Sequence, residues 1–292
     1  MAKPNGVAKV IGIDLGATNI RGAAVSGASG DSLSPIVSVR VHSDGTVEEV
    51  LEDIYQVIDQ IIKESDDDVA AIGIGVPSVV DVTKGIVYDV QNIPSWVEVP
   101  LKQILESKYK RSVFVNNDAN CFALGEHYFG KGKDVATMIV LTLGTGLGGG
   151  VIINNRLFAG SNCGAGEFGM LPFKEQVFDY YASGSLFSNV YGLDGLKVFT
   201  DAKAGDPIAR SLYSELGHNI GHAIKSVMYT YDPELIILGG SVSQAYDLFY
   251  EAMWEQVRTF AFVKSAQRIR IEASELQNSG ILGAAALYFD AL

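Results

Sequence analysis

The sequence predicts an α/β fold in two lobes, and three observations lead to this prediction. Short apolar runs typical of buried strands alternate with segments of helical periodicity, the order expected of a sheet with helices on its faces. A pattern of strand, glycine turn and strand occurs twice, near residue 14 and again near residue 144. At 292 residues with 48% hydrophobic residues, the chain is near the length at which one core gives way to two.

The first predicted lobe covers residues 1–118 and opens with a hairpin. Residues 10–14 (VIGID) have the pattern of a buried strand, and residues 14–19 are predicted to form a turn. Residues 22–25 form the second apolar segment of the hairpin. A helix over 46–63 follows, with Glu48 and Glu49 near its start, where the helix dipole favours anions. Strands are predicted over 69–77 and 113–118, with a short helix over 101–108 between them.

The second predicted lobe, over 119–279, repeats the opening pattern. A strand over 138–143 runs into GTGLGGG (144–150), then into a strand over 151–153 and a turn at 154–155. Helices are predicted over 207–231 and 245–260, with a strand and turn at 235–240 between them. The last helix, 280–292, packs back on the first lobe. Two such glycine turns, one from each lobe, can close on one polyphosphate from opposite sides.

Composition narrows the functional classes. The formal net charge of −12 disfavours a broad surface for binding nucleic acid, because phosphate repulsion acts everywhere outside a local patch. The two cysteines, Cys121 and Cys163, cannot build a disulfide framework, and with an unprocessed start over 1–6 they favour the cytoplasm. No uninterrupted apolar run approaches the roughly 20 residues of a membrane-spanning helix.

The glycine turns have two interpretations. Gly144, Gly146 and Gly149 match the dinucleotide-binding fingerprint, but a strand follows them where the fingerprint requires a helix. A tight hairpin alone explains one glycine run. A phosphoryl-transfer site, however, needs glycine backbone near phosphate, a hydroxyl and a carboxylate, and Asp14 and Thr18 flank the first turn. Asp14 is therefore either a turn residue or a carboxylate that orients Mg²⁺ through water.

The segment NDAN (117–120) follows a predicted strand and precedes a predicted helix. An aspartate at this position is often an N-cap, which is one interpretation of Asp118. The other places its carboxylate at the mouth of a cleft between the lobes, next to an amide, Asn117, that can hydrogen-bond a polyol. A general base needs that position.

Seven segments in order resemble the motif set of the ROK family (repressors, open reading frames and sugar kinases). They are IGIDLGATNIRG (11–22), GIGVP (73–77), NIPSW (92–96), NDAN (117–120), GTGLGGG (144–150), AGEFG (165–169) and DPELIILGG (232–240). The match runs from about residue 10 to 285, and seven ordered motifs are far more specific than any one of them.

This resemblance implies the two-lobed actin/hexokinase-like (ribonuclease H-like) ATPase fold, with an active-site cleft between the lobes. It implies a kinase that transfers the γ-phosphoryl group of ATP, with Mg²⁺, to a hexose hydroxyl, and it implies a homodimer. Asp118 is then the catalytic base. The residues implied to contact the sugar are Asn117, Asp118, Glu167, Asp179, Ser78 and Gln91. Those implied to surround the nucleotide, its phosphates and the magnesium ion are Asp14, Gly16, Thr18, Gly144, Thr145, Gly146, Gly239 and Gly240.

The chain departs from the family pattern in the loop that begins at AGEFG (165–169), which the resemblance implies to contact the sugar. Most members have a histidine where this sequence has Met170, followed by a cysteine-rich zinc motif that is replaced here by residues 171–179. Asp179 aligns with the glutamate that ends that motif. Cys163 cannot hold zinc alone, and no Cys or His lies between 164 and 217, so we expect no zinc site.

His218 and His222 have the i, i+4 spacing that can hold a metal on a helix. Without a third ligand nearby, such a pair is more often an exposed or packed helical face.

Two other functions compete with a kinase. ROK repressors carry an N-terminal helix-turn-helix, whereas the first strand here begins by about Lys9, which leaves no room for one. A sugar-binding or regulatory protein that has lost catalysis is conceivable because of Met170, but Asp118 and both glycine turns argue against it. The candidate sugars are glucose, a β-glucoside, fructose, mannose and N-acetylated hexosamines, and the sequence does not choose between them.

Overall fold

The computed structural model describes residues 8–16, 18–27, 29–65, 69–161 and 163–292. Residues 1–6, from which an unprocessed start was inferred, and Ala17, in the first predicted turn, lie outside this description. The chain forms two compact units. The first contains Met1–Asp134, Asn155–Ala165 and Glu275–Leu292, and the second contains Val135–Asn154 and Gly166–Ser274.

The main sheet of the first unit grows from the predicted hairpin. The strands of this unit are β1 (Lys9–Leu15), β2 (Asn19–Ser26), β3 (Val37–Arg40), β4 (Ala71–Val76), β5 (Val79–Asp81), β6 (Ile86–Tyr88), β7 (Glu98–Val99) and β8 (Ser112–Asn117). Five of them form one sheet in the order β3-β2-β1-β4-β8, in which β1 pairs antiparallel with β2 and parallel with β4, and β4 pairs parallel with β8. Strands β5, β6 and β7 form a separate antiparallel sheet.

Helices cover the first sheet. They are α1 (Val47–Glu64), α2 (Leu101–Tyr109), α3 (Asp118–Phe129) and, at the end of the chain, α10 (Ser279–Asp290). Helix α1 begins at a capping box, in which the Thr46 hydroxyl accepts the Glu49 amide and the Glu49 carboxylate accepts the Thr46 amide at 2.7 Å. Its apolar face, including Val50, Ile54 and Val57, is buried in the core of the unit.

Helix α3 packs closely on α10, and this contact explains where the first unit ends. A Cβ at Gly283 would overlap the carbonyl oxygen of Cys121, so the backbones approach at a distance that only glycine permits. The sequence division was placed at Asp118. In the structure the first unit instead extends to Asp134, because α3 packs against a helix of the same unit.

The second unit repeats this topology. Its strands are β9 (Met138–Leu143), β10 (Leu147–Ile153), β12 (Pro172–Phe173), β13 (Gln176–Val177), β14 (Leu235–Gly239) and β15 (Arg270–Ala273), while β11 (Arg156–Leu157) lies in Asn155–Ala165. The order β10-β9-β14-β15 matches β2-β1-β4-β8, with one antiparallel pair followed by two parallel pairs. The weak internal repeat in the sequence is therefore a structural repeat.

The helices of the second unit lie between and after these strands along the chain. They are α4 (Phe178–Tyr181), α5 (Ser185–Tyr191), α6 (Gly195–Ala204), α7 (Pro207–Tyr231), α8 (Tyr246–Val257) and α9 (Val263–Arg268). Helix α7 is buried along one face, from Leu212 to Met228, against the unit's own core. None of the helices in the described ranges is long and apolar enough to cross a membrane.

Candidate active site

The carboxyl edge of the first sheet gathers two of the predicted acidic residues. Strands β1, β4 and β8 are parallel, and Asp14, Gly75 and Asn116 lie side by side in register at their ends. The thiol of Cys121, in the first turn of α3, has its pKa raised by burial and then by the charges of Asp118 and Asp14. A Cβ at Gly75, which pairs with Asp14, would lie 3.1 Å from the Cys121 sulfur and 3.7 Å from the Asp118 Cα, so Asp14 and the start of α3 meet at the edge where open α/β sheets bind ligands.

Asn117, and not Asp118, is the N-cap of α3. The Asn117 Oδ1 atom accepts the amides of Ala119 at 2.9 Å and Asn120 at 3.4 Å, and its backbone is extended, as an N-cap requires. Asp118 is the first helical residue and is exposed, with its Oδ1 accepting the Ala119 amide at 2.8 Å. The interpretation of Asp118 as the cap is wrong by one residue, because the extended backbone lies at 117.

Asp14 is half-buried at the end of β1, opposite Arg21 on β2. A Cβ at Gly280 would lie 2.7 Å from the Asp14 carboxyl carbon, so the carboxylate also lies against the first turn of α10. Arg21 donates a hydrogen bond of 2.7 Å to Oδ1 of Asn278, the residue before that helix. Burial raises the pKa of Asp14, and the charge of Arg21 only partly opposes this effect.

The other predicted residues of the first unit lie in turns at strand ends. Gly16 donates its amide to the Asn19 carbonyl at 3.0 Å, and the exposed Thr18 accepts the amide of Val41 at 2.9 Å. Ser78 donates its hydroxyl to the Tyr88 carbonyl, and its own carbonyl accepts Asn117 Nδ2 at 3.3 Å. Gln91 is exposed in a turn beyond β6.

The glycine turn of the second unit is held by two serine hydroxyls. Ser183 and Ser185 donate to the Thr145 carbonyl at 2.7 and 2.6 Å, and the Gly184 amide donates to the Gly144 carbonyl at 2.8 Å. Our sequence reasoning assigned no role to these serines. A Ser-Gly-Ser run where α5 begins is typical of helix starts, but no local spacing connects these serines with Thr145, which lies 38 and 40 positions away.

Asp179 joins the glycine turn to the loop that carries Glu167 and Gly169. Its Oδ1 accepts the Leu147 amide at 2.6 Å, and a Cβ at Gly146 would lie 2.6 Å from the same oxygen. Gly146 does not adopt a positive φ, so a left-handed backbone is not the reason for glycine at this position. The pKa of Glu167 is raised by burial and then by the charge of Asp179. A Cβ at Gly169, two residues after Glu167, would lie 3.2 Å from Asp179 Oδ1, so the loop that carries Glu167 lies against Asp179. Met170, next in the loop, is 57% exposed.

Gly239 and Gly240 lie beside the same turn. Gly239 ends β14 in register with Thr142. Gly240 has φ +83°, and a Cβ there would collide with the Leu143 carbonyl immediately before Gly144. The second unit thus brings together the turn 144–146, Gly239, Gly240 and Asp179.

The histidine pair on α7 makes contacts with protein groups. Nδ1 of His218 lies 2.9 Å from the Ser214 carbonyl and its Nε2 lies 3.2 Å from the Glu255 carboxylate, while the His222 ring packs 5.3 Å from that of Phe173. Within the described part of the chain, no group of three or more His, Cys, Asp or Glu side chains is placed to hold a metal ion. The expectation that zinc is absent stays a prediction.

Comparison with known proteins gives a consistent result. The ROK family profile matches residues 10–291. The chain is 31% identical to a glucokinase of Thermotoga maritima over 96% of both chains, and 28% identical to a xylose repressor of Caldicellulosiruptor bescii over 94% of this chain and 76% of the repressor. A ROK family glucokinase from Streptomyces griseus, solved with glucose and AMPPNP, superposes with a TM-score of 0.80 at 29% identity, covering 96% of this chain and 99% of its own.

These likenesses span the whole motif set and both units, and they confirm the α/β, actin/hexokinase-like fold predicted from the sequence. The chain belongs to the ROK family.

Proposed function

We propose that this chain is an ATP-dependent hexose kinase and that Asp118 is its general base. One observation carries the proposal: Asn117 is the N-cap of α3, and Asp118 follows it with an exposed carboxylate at the carboxyl end of β8, one of the three parallel strands of the sheet. The similarity to the Thermotoga maritima glucokinase and to the Streptomyces griseus enzyme solved with glucose and AMPPNP supports both substrates.

In the proposed reaction, the carboxylate of Asp118 accepts the proton of a sugar hydroxyl as the hydroxyl oxygen attacks the γ-phosphorus of ATP. The bond from that phosphorus to the β,γ-bridging oxygen breaks, and ADP leaves with this oxygen. The products are a sugar phosphate, ADP and one proton. In phosphoryl transfer the protein mainly positions the groups and stabilises charge, so the roles to be filled are a base, amides near the phosphates and residues that would hold a metal ion.

The remaining site residues divide between the sugar and the nucleotide. We assign Asn117, Glu167 and Asp179 to the sugar, because amide and carboxylate groups pair well with a polyol. Asn117 uses Oδ1 for the cap and one Nδ2 hydrogen for Ser78, which leaves its second Nδ2 hydrogen for a ligand. Ser78 and Gln91 complete the proposed sugar contacts. The turn 144–146 and the segment 239–240 are assigned to the nucleotide.

The residues around Asp14 fit a magnesium ion. Asp14 is half-buried at the end of β1, and burial raises the pKa of its carboxyl group, so a divalent cation beside it would favour the ionised form. Mg²⁺ is usually held by one or two carboxylates together with substrate phosphates, which suits a single carboxylate beside Thr18. Asp14, through water, would hold the ion, which supplies charge neutralisation on the phosphates.

Family members also include regulators, such as the xylose repressor, so the enzyme assignment depends on Asp118 and the glycine turns. The net charge of −12 supports a small-molecule substrate over nucleic acid. A cytoplasmic location and a homodimer stay proposals of the same kind.

A coupled assay of ADP release over a panel of hexoses with MgATP tests the function. At least one hexose should be turned over, and Asp118→Asn should lower turnover about 10² to 10⁴-fold with folding retained. Asp44→Asn, at an exposed loop aspartate, is the matched control and should leave turnover unchanged. A folded Asp118→Asn protein with wild-type turnover would refute the base, and no turnover of any hexose would favour a regulator.

A further inference from the structure

The hairpin between Glu167 and Asp179 is too short to be stable without contacts to the rest of the protein. Strands β12 and β13 contribute two residues each, paired as Pro172 with Val177 and Phe173 with Gln176. Lys174, in the connecting turn, has a left-handed φ of 53°. An isolated two-stranded hairpin is marginally stable even at greater length, so side-chain packing must hold this one in place.

Phe173 supplies that packing. Its ring stacks on Phe178 with centroids 4.5 Å apart and planes 17° apart, meets Tyr181 edge-on at 6.0 Å, and lies 5.3 Å from His222 of α7. These distances lie within the range favoured by aromatic pairs. Lys174 Nζ lies 4.8 Å from the Tyr181 ring and 5.3 Å from the Phe173 ring. We call Phe173, Phe178, Tyr181 and His222 the aromatic cluster.

The aromatic cluster controls a single helical turn. Helix α4 consists of four residues, and two of them, Phe178 and Tyr181, belong to the cluster. One turn of helix has no stability of its own in water, so its position depends on contacts with the rest of the unit. Asn219 Nδ2 donates to the Tyr181 carbonyl at 3.0 Å and the Ser183 hydroxyl donates to the Asp179 carbonyl at 2.6 Å, while the rings supply its side-chain packing. Asp179 lies between them in the sequence, and its carboxylate accepts the Leu147 amide at 2.6 Å beside the glycine turn.

We propose that Phe173 is a positioning residue that acts through Phe178 and Tyr181 to hold Asp179 against the Leu147 amide. In this arrangement the aromatic cluster keeps the segment over 172–179 in a fixed position against the glycine turn. The kinetic consequence rests on the proposed function, since it assumes that Asp179 and Glu167 bind a hexose. The structural consequence does not, because the hydrogen bond between Asp179 and Leu147 is a property of the protein alone.

The first test is residue-resolved amide hydrogen exchange. In Phe173→Ala the Leu147 amide should exchange about tenfold faster or more, as in Asp179→Ala, while Phe173→Tyr, which keeps the ring, should restore protection. Phe199→Ala is the matched control, because Phe199 is also half-buried in the second unit and also carries a lysine, Lys203, 5.6 Å from its ring. It should leave Leu147 protected.

The second test is kinetic. Phe173→Ala should raise the hexose KM about 10- to 100-fold, the range expected for losing a hydrogen bond to a charged group, and change the ATP KM little. If Phe173→Ala does not fold, Phe173→Leu serves, because leucine keeps apolar volume and removes the stacked ring.

The outcomes are separable. Unchanged Leu147 exchange in a folded Phe173 variant overturns the positioning role. Faster exchange with an unchanged hexose KM overturns the link to the sugar. Faster exchange in a protein whose wild type phosphorylates no hexose leaves the positioning role supported and removes the proposed function.

Discussion

Two glycines of the same turn provide a sharp test of whether this turn approaches phosphate. A Cβ added at Gly144 meets no protein atom within 4 Å, whereas a Cβ at Gly146 would lie 2.6 Å from the Asp179 carboxylate. Neither glycine has a positive φ, so alanine is compatible with the backbone at both positions. Gly144→Ala therefore probes the ligand, and Gly146→Ala probes the protein.

The expected magnitudes differ accordingly. Gly144→Ala should leave stability unchanged or raise it by about 0.4 to 1 kcal/mol, because alanine restricts the unfolded chain. If an amide of this turn donates to a phosphate oxygen, loss of that charge-assisted hydrogen bond costs about 1.5 to 3 kcal/mol, or about 10- to 100-fold in ATP affinity. Gly146→Ala must displace Asp179 from Leu147, so it should lower stability and weaken both substrates.

The assay combines thermal unfolding with separate KM values for MgATP and hexose. Gly144→Ala should raise only the ATP KM, with an unfolding temperature no lower than that of the wild type. Gly146→Ala should lower the unfolding temperature and raise both KM values. An unchanged ATP KM in Gly144→Ala would refute the phosphate assignment, and the glycines would then serve only the hairpin.

Three further predictions concern charge, substrate choice and metal. Asp14→Asn should raise the unfolding temperature at pH 7 to 8, because burial disfavours the ionised carboxylate in the folded state more than in the unfolded chain, and the gain should shrink toward pH 4 as the carboxyl group becomes protonated in both states; Asp81→Asn, where the Lys84 amide lowers the pKa, should not show this gain. Glu167→Ala should raise the hexose KM strongly and the ATP KM little, and Met170→His should change the ratio of kcat/KM for a β-glucoside over glucose; unchanged values in both would contradict the pocket assignment. A chelator should leave the unfolding temperature unchanged without magnesium, and stoichiometric zinc in purified protein would contradict this.

Local sequence patterns predicted the elements that depend on local physics. The β1–β2 and β9–β10 hairpins follow from apolar runs broken by glycine, and helix α1 follows from its apolar spacing and the acidic residues of its first turn. The predicted bounds of the long helix, 207–231, coincide with α7. In these segments periodicity and turn residues favour the same structure, so tertiary contacts do not reverse the prediction.

The parts that could not be predicted depend on contacts distant in sequence. The hydrogen bond from Leu147 to Asp179 joins residues 32 positions apart, and no local spacing indicates it. Short strands such as β3 and β15 are held mainly by pairing with a neighbour, so their composition carries little signal. Asp118 and Asn117 are adjacent candidates for a cap, and only the backbone conformation distinguishes them.

The repeated hairpins show how one topology can serve two proposed roles. In the first hairpin, the second pair from the turn is Asp14 opposite Arg21. In the second hairpin, the pair at the matching position is Thr142 opposite Gly148, which carries no charge. A turn that meets phosphate oxygens through its amides gains from a strand pair without a carboxylate, because like charges repel. The Asp179 carboxylate beside this turn accepts the Leu147 amide at 2.6 Å, which partly neutralises it. A turn that holds a magnesium ion requires one. The proposed division, with metal and base in the first unit and phosphate amides in the second, therefore agrees with the presence of a charged pair in the first hairpin and its absence at the matching position of the second.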